Sequence, residues 1–181
     1  MLRFEKLLMI GATSRNSGKT ELASAFIKKF SKKNKIVGLK VSTYHINDSN
    51  FHGQQSLPLP DKYIIIKESE KSDKDTARML NAGASEVYWL RTKVEYINEA
   101  VNEFIKLIDK TSFIVCESNS LTKFIKPDIF IMIRNNQKPD KDSATEVMKM
   151  ADIEIISNGE KFVNFDISGI EIDKGKWVLR K

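Results

Sequence analysis

The feature that most constrains this chain is the run Gly11-Ala12-Thr13-Ser14-Arg15-Asn16-Ser17-Gly18-Lys19-Thr20. A short apolar stretch, residues 6–10, leads into it. Residues 21–30 follow, with Leu22, Ala23, Phe26, Ile27 and Phe30 at helical spacing. A strand, a glycine-bearing loop and a helix in that order form a cradle for phosphate. Successive backbone N–H groups curl into an anion nest, and the helix N-terminus adds the positive end of its dipole. Gly18 lets the backbone pass close to a phosphate without a Cβ. Lys19 is placed to reach the outer phosphates, and Thr20 to set its hydroxyl on Mg²⁺. Ser14, Asn16 and Ser17 complete the loop's nucleotide contacts. Arg15 has two readings, a contact to the γ-phosphate or a surface position. One departure stands out. The strict spacing puts a glycine where Thr13 stands, with Gly11 two residues further back, so a longer or differently shaped loop is expected.

The rest of the chain alternates strands and helices. Residues 36–41, 63–66, 86–90, 113–116, 129–133 and 153–156 read as strands; residues 75–82, 96–108 and 145–151 read as helices, the first ending at Gly83. Strands that are apolar on both faces and separated by helices argue for a parallel sheet covered on both sides. The tail differs. Residues 161–165, 169–172 and 176–179 read as extended, with a turn at Asp173-Lys174-Gly175. The expected architecture is α/β, a three-layer P-loop NTPase-like fold with a mostly parallel sheet and a small C-terminal antiparallel extension. Residues 1–158 would form the nucleotide-binding domain and residues 159–181 a β extension of it. A length of 181 residues suits one domain.

A carboxylate that assists Mg²⁺ belongs at the carboxyl end of a neighbouring buried strand. Glu117 directly ends residues 113–116 and takes that metal-side and catalytic role with Lys19 and Arg15. Asp128 precedes its strand, which places it at the opposite edge in a structural role. A polar stretch, residues 42–62, follows the second strand with Tyr44, His45, Asp48, Asn50 and His52. It reads either as a functional loop, with Asp48 on the metal side, or as a surface loop. A zinc site at His45 and His52 finds little support without a cysteine nearby. For the base, Asn135 and Asn136 follow one strand and Asn158-Gly159 another. The run Asn136-Gln137-Lys138-Pro139-Asp140 is one residue out of register with the N-K-x-D of guanine specialists. Asn135 is the amide assigned to the base, Asn158 reads as turn chemistry, and the residues leave ATP and GTP open.

Net charge is +6, with 30 Lys and Arg against 24 Asp and Glu. The cations are scattered rather than blocked with aromatics, which argues against nucleic acid as the main partner. No apolar run approaches the roughly 20 residues that cross a bilayer. The single cysteine, Cys116, fits a reducing compartment, and the expected location is cytoplasmic.

Taken together, residues 11–20, Val37-Gly38-Leu39-Lys40 with His45 downstream, and Lys74-Asp75-Thr76 followed by Asn81-Ala82-Gly83-Ala84 resemble the molybdopterin-guanine dinucleotide biosynthesis protein B (MobB) family. The resemblance covers roughly residues 6–90. More broadly the chain is similar to the dethiobiotin-synthetase and cobyrinate-synthase branch of P-loop proteins. The resemblance implies GTP with Mg²⁺, weak GTPase activity, often a dimer, and a helper role when a nucleotide is attached to molybdopterin. It puts Asp75 on the nucleotide side of the site. Two departures lie where a partner or second substrate docks. Ser42-Thr43-Tyr44-His45 leaves one histidine of the family's cluster, and Glu117-Ser118-Asn119-Ser120 replaces an E-G-[aromatic]-K run. An ATP-dependent kinase or ligase acting on a small acid is the competing expectation, with an acceptor site between residues 117–120, Lys123 and the His45 loop.

Overall fold

A computed structural model describes residues 2–44, 60–69, 72–140 and 142–180. His45, Asp48, Asn50 and His52 lie outside the described residues.

The first apolar stretch forms β2 (Leu7–Ala12), after a two-residue strand, β1 (Leu2–Arg3). Every residue of β2 is buried, as a strand at the centre of a doubly covered sheet requires. The loop of residues 13–18 leads into α1 (Lys19–Phe30). Then come β3 (Ile36–Tyr44), β4 (Tyr63–Lys67), α2 (Asp75–Asn81), β5 (Glu86–Lys93), α3 (Ile97–Leu107), β6 (Phe113–Glu117), β7 (Ile125–Lys126), β8 (Ile129–Asn135), α4 (Asp142–Met148) and β9 (Ile153–Ser157). The chain closes with β10 (Ile170–Asp173) and β11 (Lys176–Leu179). Seven strands form one sheet in the order β4-β5-β3-β6-β2-β8-β9. All of its pairings are parallel except β4 with β5.

The alternation of buried side chains splits the core into two layers. On one face Leu8, Ile10, Val115 and Ile131 meet Leu22, Phe26 and Ile27 of α1 and Met79 of α2. On the other, Met9, Leu39, Leu90 and Cys116 meet Ile97, Val101 and Phe104 of α3 and Val147 of α4. This is the three-layer α/β arrangement expected. The tail forms the expected antiparallel hairpin, β10 with β11, around Lys174 (φ 46°) and Gly175 (φ 77°). Two consecutive left-handed residues suit the twist of a tight hairpin. The hairpin is anchored by Trp177, which meets Phe30 and Phe113 edge-on at centroid distances of 4.9 and 5.7 Å. Its indole N–H donates to the Lys6 carbonyl (3.0 Å). Residues 161–165 are not a strand; only a single antiparallel bridge joins Phe162 to Ser157.

Other boundaries move for identifiable reasons. β3 extends to Tyr44 because Ser42, Thr43 and Tyr44 pair with Arg91, Thr92 and Lys93, so the polar stretch begins later than its composition indicates. α4 starts earlier than residue 145, with Ala144 and Val147 buried and Met150 left exposed beyond its end. Asp128 accepts the backbone N–H groups of Lys6 and Trp177 (2.8 and 3.2 Å), the structural role expected at the edge opposite the loop. Among the described residues no helix is long and apolar enough to cross a membrane.

Candidate functional site

The carboxyl ends of β2, β3, β6 and β9 converge on a cleft of about 990 Å³. Its floor is the loop of residues 13–18. Thr13, just past β2, still donates its N–H to the Ile133 carbonyl (2.9 Å) and is not left-handed, so no glycine is required there. The turn is made later, by Asn16 (φ 54°) and Gly18 (φ 90°), both left-handed. The loop thus differs from the strict pattern in where it bends. Ser14 and Ser17 hold the bend from within. Their hydroxyls lie 2.8 Å apart, and Ser17 Oγ donates to the Ser14 carbonyl (2.9 Å). Ser14 is buried behind the loop, whereas Arg15, Asn16, Ser17, Gly18, Lys19 and Thr20 all line the cleft.

Thr20, in the first turn of α1, donates its hydroxyl to the Glu117 carboxylate, at 3.1 Å from each oxygen. Glu117 ends β6 and is buried. Burial raises its pKa above the ordinary carboxylate value, against the opposing pull of Lys40 and Lys19. Asp75, at the start of α2, lines the same cleft and forms an ion pair with Lys40 of β3. Burial pushes the Asp75 carboxyl up, but the Lys40 ammonium, the Thr20 hydroxyl and Arg78 prevail and leave it below its ordinary value. The sequence-predicted Lys19, Thr20, Asp75 and Glu117 therefore come together.

Other expected residues stand elsewhere. Asn135 is buried and lines a smaller neighbouring cavity of about 450 Å³; its carbonyl accepts the Gln137 N–H (2.9 Å) and its Nδ2 has no hydrogen-bond partner. Asp140 pairs with Arg134 (3.0 Å) on the wall of that cavity. Lys138 reaches back to the Arg15 carbonyl (3.2 Å), tying the segment after β8 to the loop. Asn158 does the turn chemistry expected, accepting the N–H groups of Glu160 and Lys161 at 3.0 and 2.9 Å. Lys123 turns away to Glu146 (3.2 Å), so it does not line the cleft beside residues 117–119.

Three contributions were not assigned from the sequence, one of them the clamp made by Asn119, a residue expected only as part of the acceptor site. Lys40 carried the resemblance, but its partner Asp75 becomes visible only when β3 and α2 are brought together. Asn119 pairs with the backbone of Ala12 in both directions, its Nδ2 donating to the carbonyl (2.7 Å) and its Oδ1 accepting the N–H (2.8 Å). One side chain thus continues the ladder where β6 has ended and fixes the base of the loop beside Glu117. Phe162 lines the cleft and rests on the loop: a Cβ added at Gly18 would lie 3.0 Å from its Cζ. No spacing rule signals that contact.

No protein-family model matches the chain, and no curated protein matches it. Its fold is similar to the crystal structure of LpxK from Aquifex aeolicus in complex with ATP, with a TM-score of 0.53 and 13% sequence identity. The match covers 92% of this chain and 53% of that one, so this chain spans about half the length of that protein. The likeness shows a P-loop α/β fold.

Proposed function

We propose that this chain binds a purine nucleoside triphosphate with Mg²⁺, hydrolyses it slowly, and acts as a helper in making the molybdopterin guanine dinucleotide cofactor. The observation that carries the nucleotide reading is the Thr20 hydroxyl held against the Glu117 carboxylate at the head of a left-handed phosphate loop. The surrounding donors, a hydroxyl and carboxylates, are hard oxygen ligands that suit Mg²⁺. Thr20 and Glu117 would hold the ion, with Asp75 beside them; Asp48 remains a candidate from sequence alone. When bound, Mg²⁺ supplies positive charge to the phosphate oxygens. The chain's own work is electrostatic. The N–H groups of residues 13–18, the Lys19 ammonium and the start of α1 favour the charge spread over a transferring phosphoryl group. Arg15, exposed at the rim, can add to that charge only by moving onto the γ-phosphate from this chain or a second copy.

The helper role rests on the resemblance through residues 6–90, as do a dimer and a protein partner. Seating of Trp177 in the core supports reading residues 159–181 as part of the same domain. A second reading, ATP-dependent transfer to a small acid, is favoured by Lys40, Ser42 and Arg78, which leave a polar wall beyond the phosphates. Calorimetric titration with Mg²⁺ and nucleotide tests the common core: Lys19→Ala should weaken binding at least about ten-fold. Equal binding by the variant would remove the nucleotide reading. Hydrolysis unchanged by small acids supports the helper, and turnover that appears only with an acceptor supports the transferase.

A further inference from the structure

The described residues that line the cleft include one aromatic ring, Phe162. Its place is fixed before any ligand arrives. The Ser157–Phe162 bridge closes a tight turn, in which Asn158 N–H donates to the Lys161 carbonyl (3.2 Å) and Val163 N–H to Ile156 (2.8 Å). The Cζ and Cε1 edge of the ring sits against Gly18, at 3.0 and 3.1 Å from the position a Cβ would take there. A ring so pinned loses little freedom when a flat partner stacks on it. Meanwhile the groups able to tell guanine from adenine are engaged or line the neighbouring cavity. Asp140 pairs with Arg134 through Oδ2 alone, the Asn135 side-chain oxygen accepts from Gln137, and the Asn158 side-chain oxygen accepts twice from its own turn. Two buried atoms of these residues have no hydrogen-bond partner, Asn135 Nδ2 and Asp140 Oδ1, and both residues line the neighbouring cavity rather than the cleft that Phe162 lines. Glu160 and Lys161 line the cleft with opposite charges on an exposed turn, where water screens them.

We propose that Phe162 is the platform for the nucleobase, and that the cleft accepts ATP and GTP with affinities within about three-fold of each other. Stacking is tolerant of base identity because every base has a π-face. This inference rests on the nucleotide reading of the cleft.

The test is titration of the full chain with Mg²⁺ and ATP, GTP or inorganic triphosphate, using the parent, Phe162→Leu, Phe162→Tyr and Glu160→Gln. The parent should bind both nucleotides about equally and more tightly than triphosphate. Phe162→Leu should weaken both nucleotides about ten-fold and leave triphosphate unchanged, which also certifies that the variant is folded. Phe162→Tyr should restore the parent affinities, and Glu160→Gln should leave the ATP-to-GTP ratio as it was. A parent preference above about ten-fold overturns the inference. So does a Phe162→Leu loss shared equally by triphosphate, since the ring would then only prop the loop. If the parent holds triphosphate but neither nucleotide more tightly, the platform falls and the phosphate cradle stands. If it holds none of the three, both readings fall.

Discussion

Replacing Glu117 by glutamine should stabilise the protein without ligand while weakening its hold on Mg²⁺ and nucleotide. The carboxylate is buried at 6% exposure, and burial is the main reason its pKa lies above the ordinary 4.5. Lys40 and Lys19 offset part of that cost, and Thr20 adds a hydrogen bond that an amide oxygen can also accept. A neutral isostere should therefore stabilise the fold at neutral pH, by about 0.5–2 kcal/mol, the size of other single stabilising substitutions. For a chain of this size that is roughly 1–8 °C in Tm. The sign with pH follows from linkage. A carboxyl raised on folding binds its proton more readily in the native state, so its cost is complete above the folded pKa and gone below 4.5. The gap in Tm between Glu117→Gln and the parent should be widest in alkaline buffer and close as the pH is lowered toward 4.5. Thermal melts across that range, with Mg²⁺–nucleotide titrations alongside, make the assay. On the proposed metal role of Glu117, binding should weaken at least about ten-fold. A variant that melts below the parent at every pH would refute the reasoning, because the two lysines would then outweigh burial.

Other perturbations separate the loop from its supports. Gly18→Ala places a Cβ on a residue at φ 90° and against Phe162, so melts should show a loss of about 1–3 kcal/mol, together with weaker nucleotide binding. Asn119→Ala leaves the N–H and carbonyl of Ala12 without their partner; urea unfolding should register about 1–3 kcal/mol, with Asn119→Asp failing to restore the donated bond. Trp177→Ala removes a ring that is 2% exposed and should cost about 3–5 kcal/mol by the same method. A negligible cost there would mean that the C-terminal hairpin folds apart from the sheet.

The sequence made the central frame readable because its signals are local. Leu7 to Ile10 is apolar on both faces, Gly18-Lys19-Thr20 sits at a strand–helix junction, and Glu117 ends an unbroken apolar run, so each can be placed from its neighbours alone. Asp75 required a resemblance, since its value depends on Lys40 from another element. Asn119 and Phe162 escaped for the same physical reason: one acts as a missing strand residue and the other as a wall on a distant glycine. Neither role leaves a period or a composition behind. Asn135 is a different case. It ends β8 rather than following it, paired with Ser157; its side-chain oxygen accepts the Gln137 N–H, and its cavity is a neighbouring one.

Cys116 occupies the strand position before Glu117, fully buried, with a thiol held far above its usual pKa by that burial. As the chain's single cysteine, it makes the fold its own clock. A thiol reagent can reach the sulfur only when β6 opens, so the labelling rate counts openings of the strand that carries Glu117. Nucleotide that bridges the loop and Glu117 should slow that clock in proportion to its occupancy.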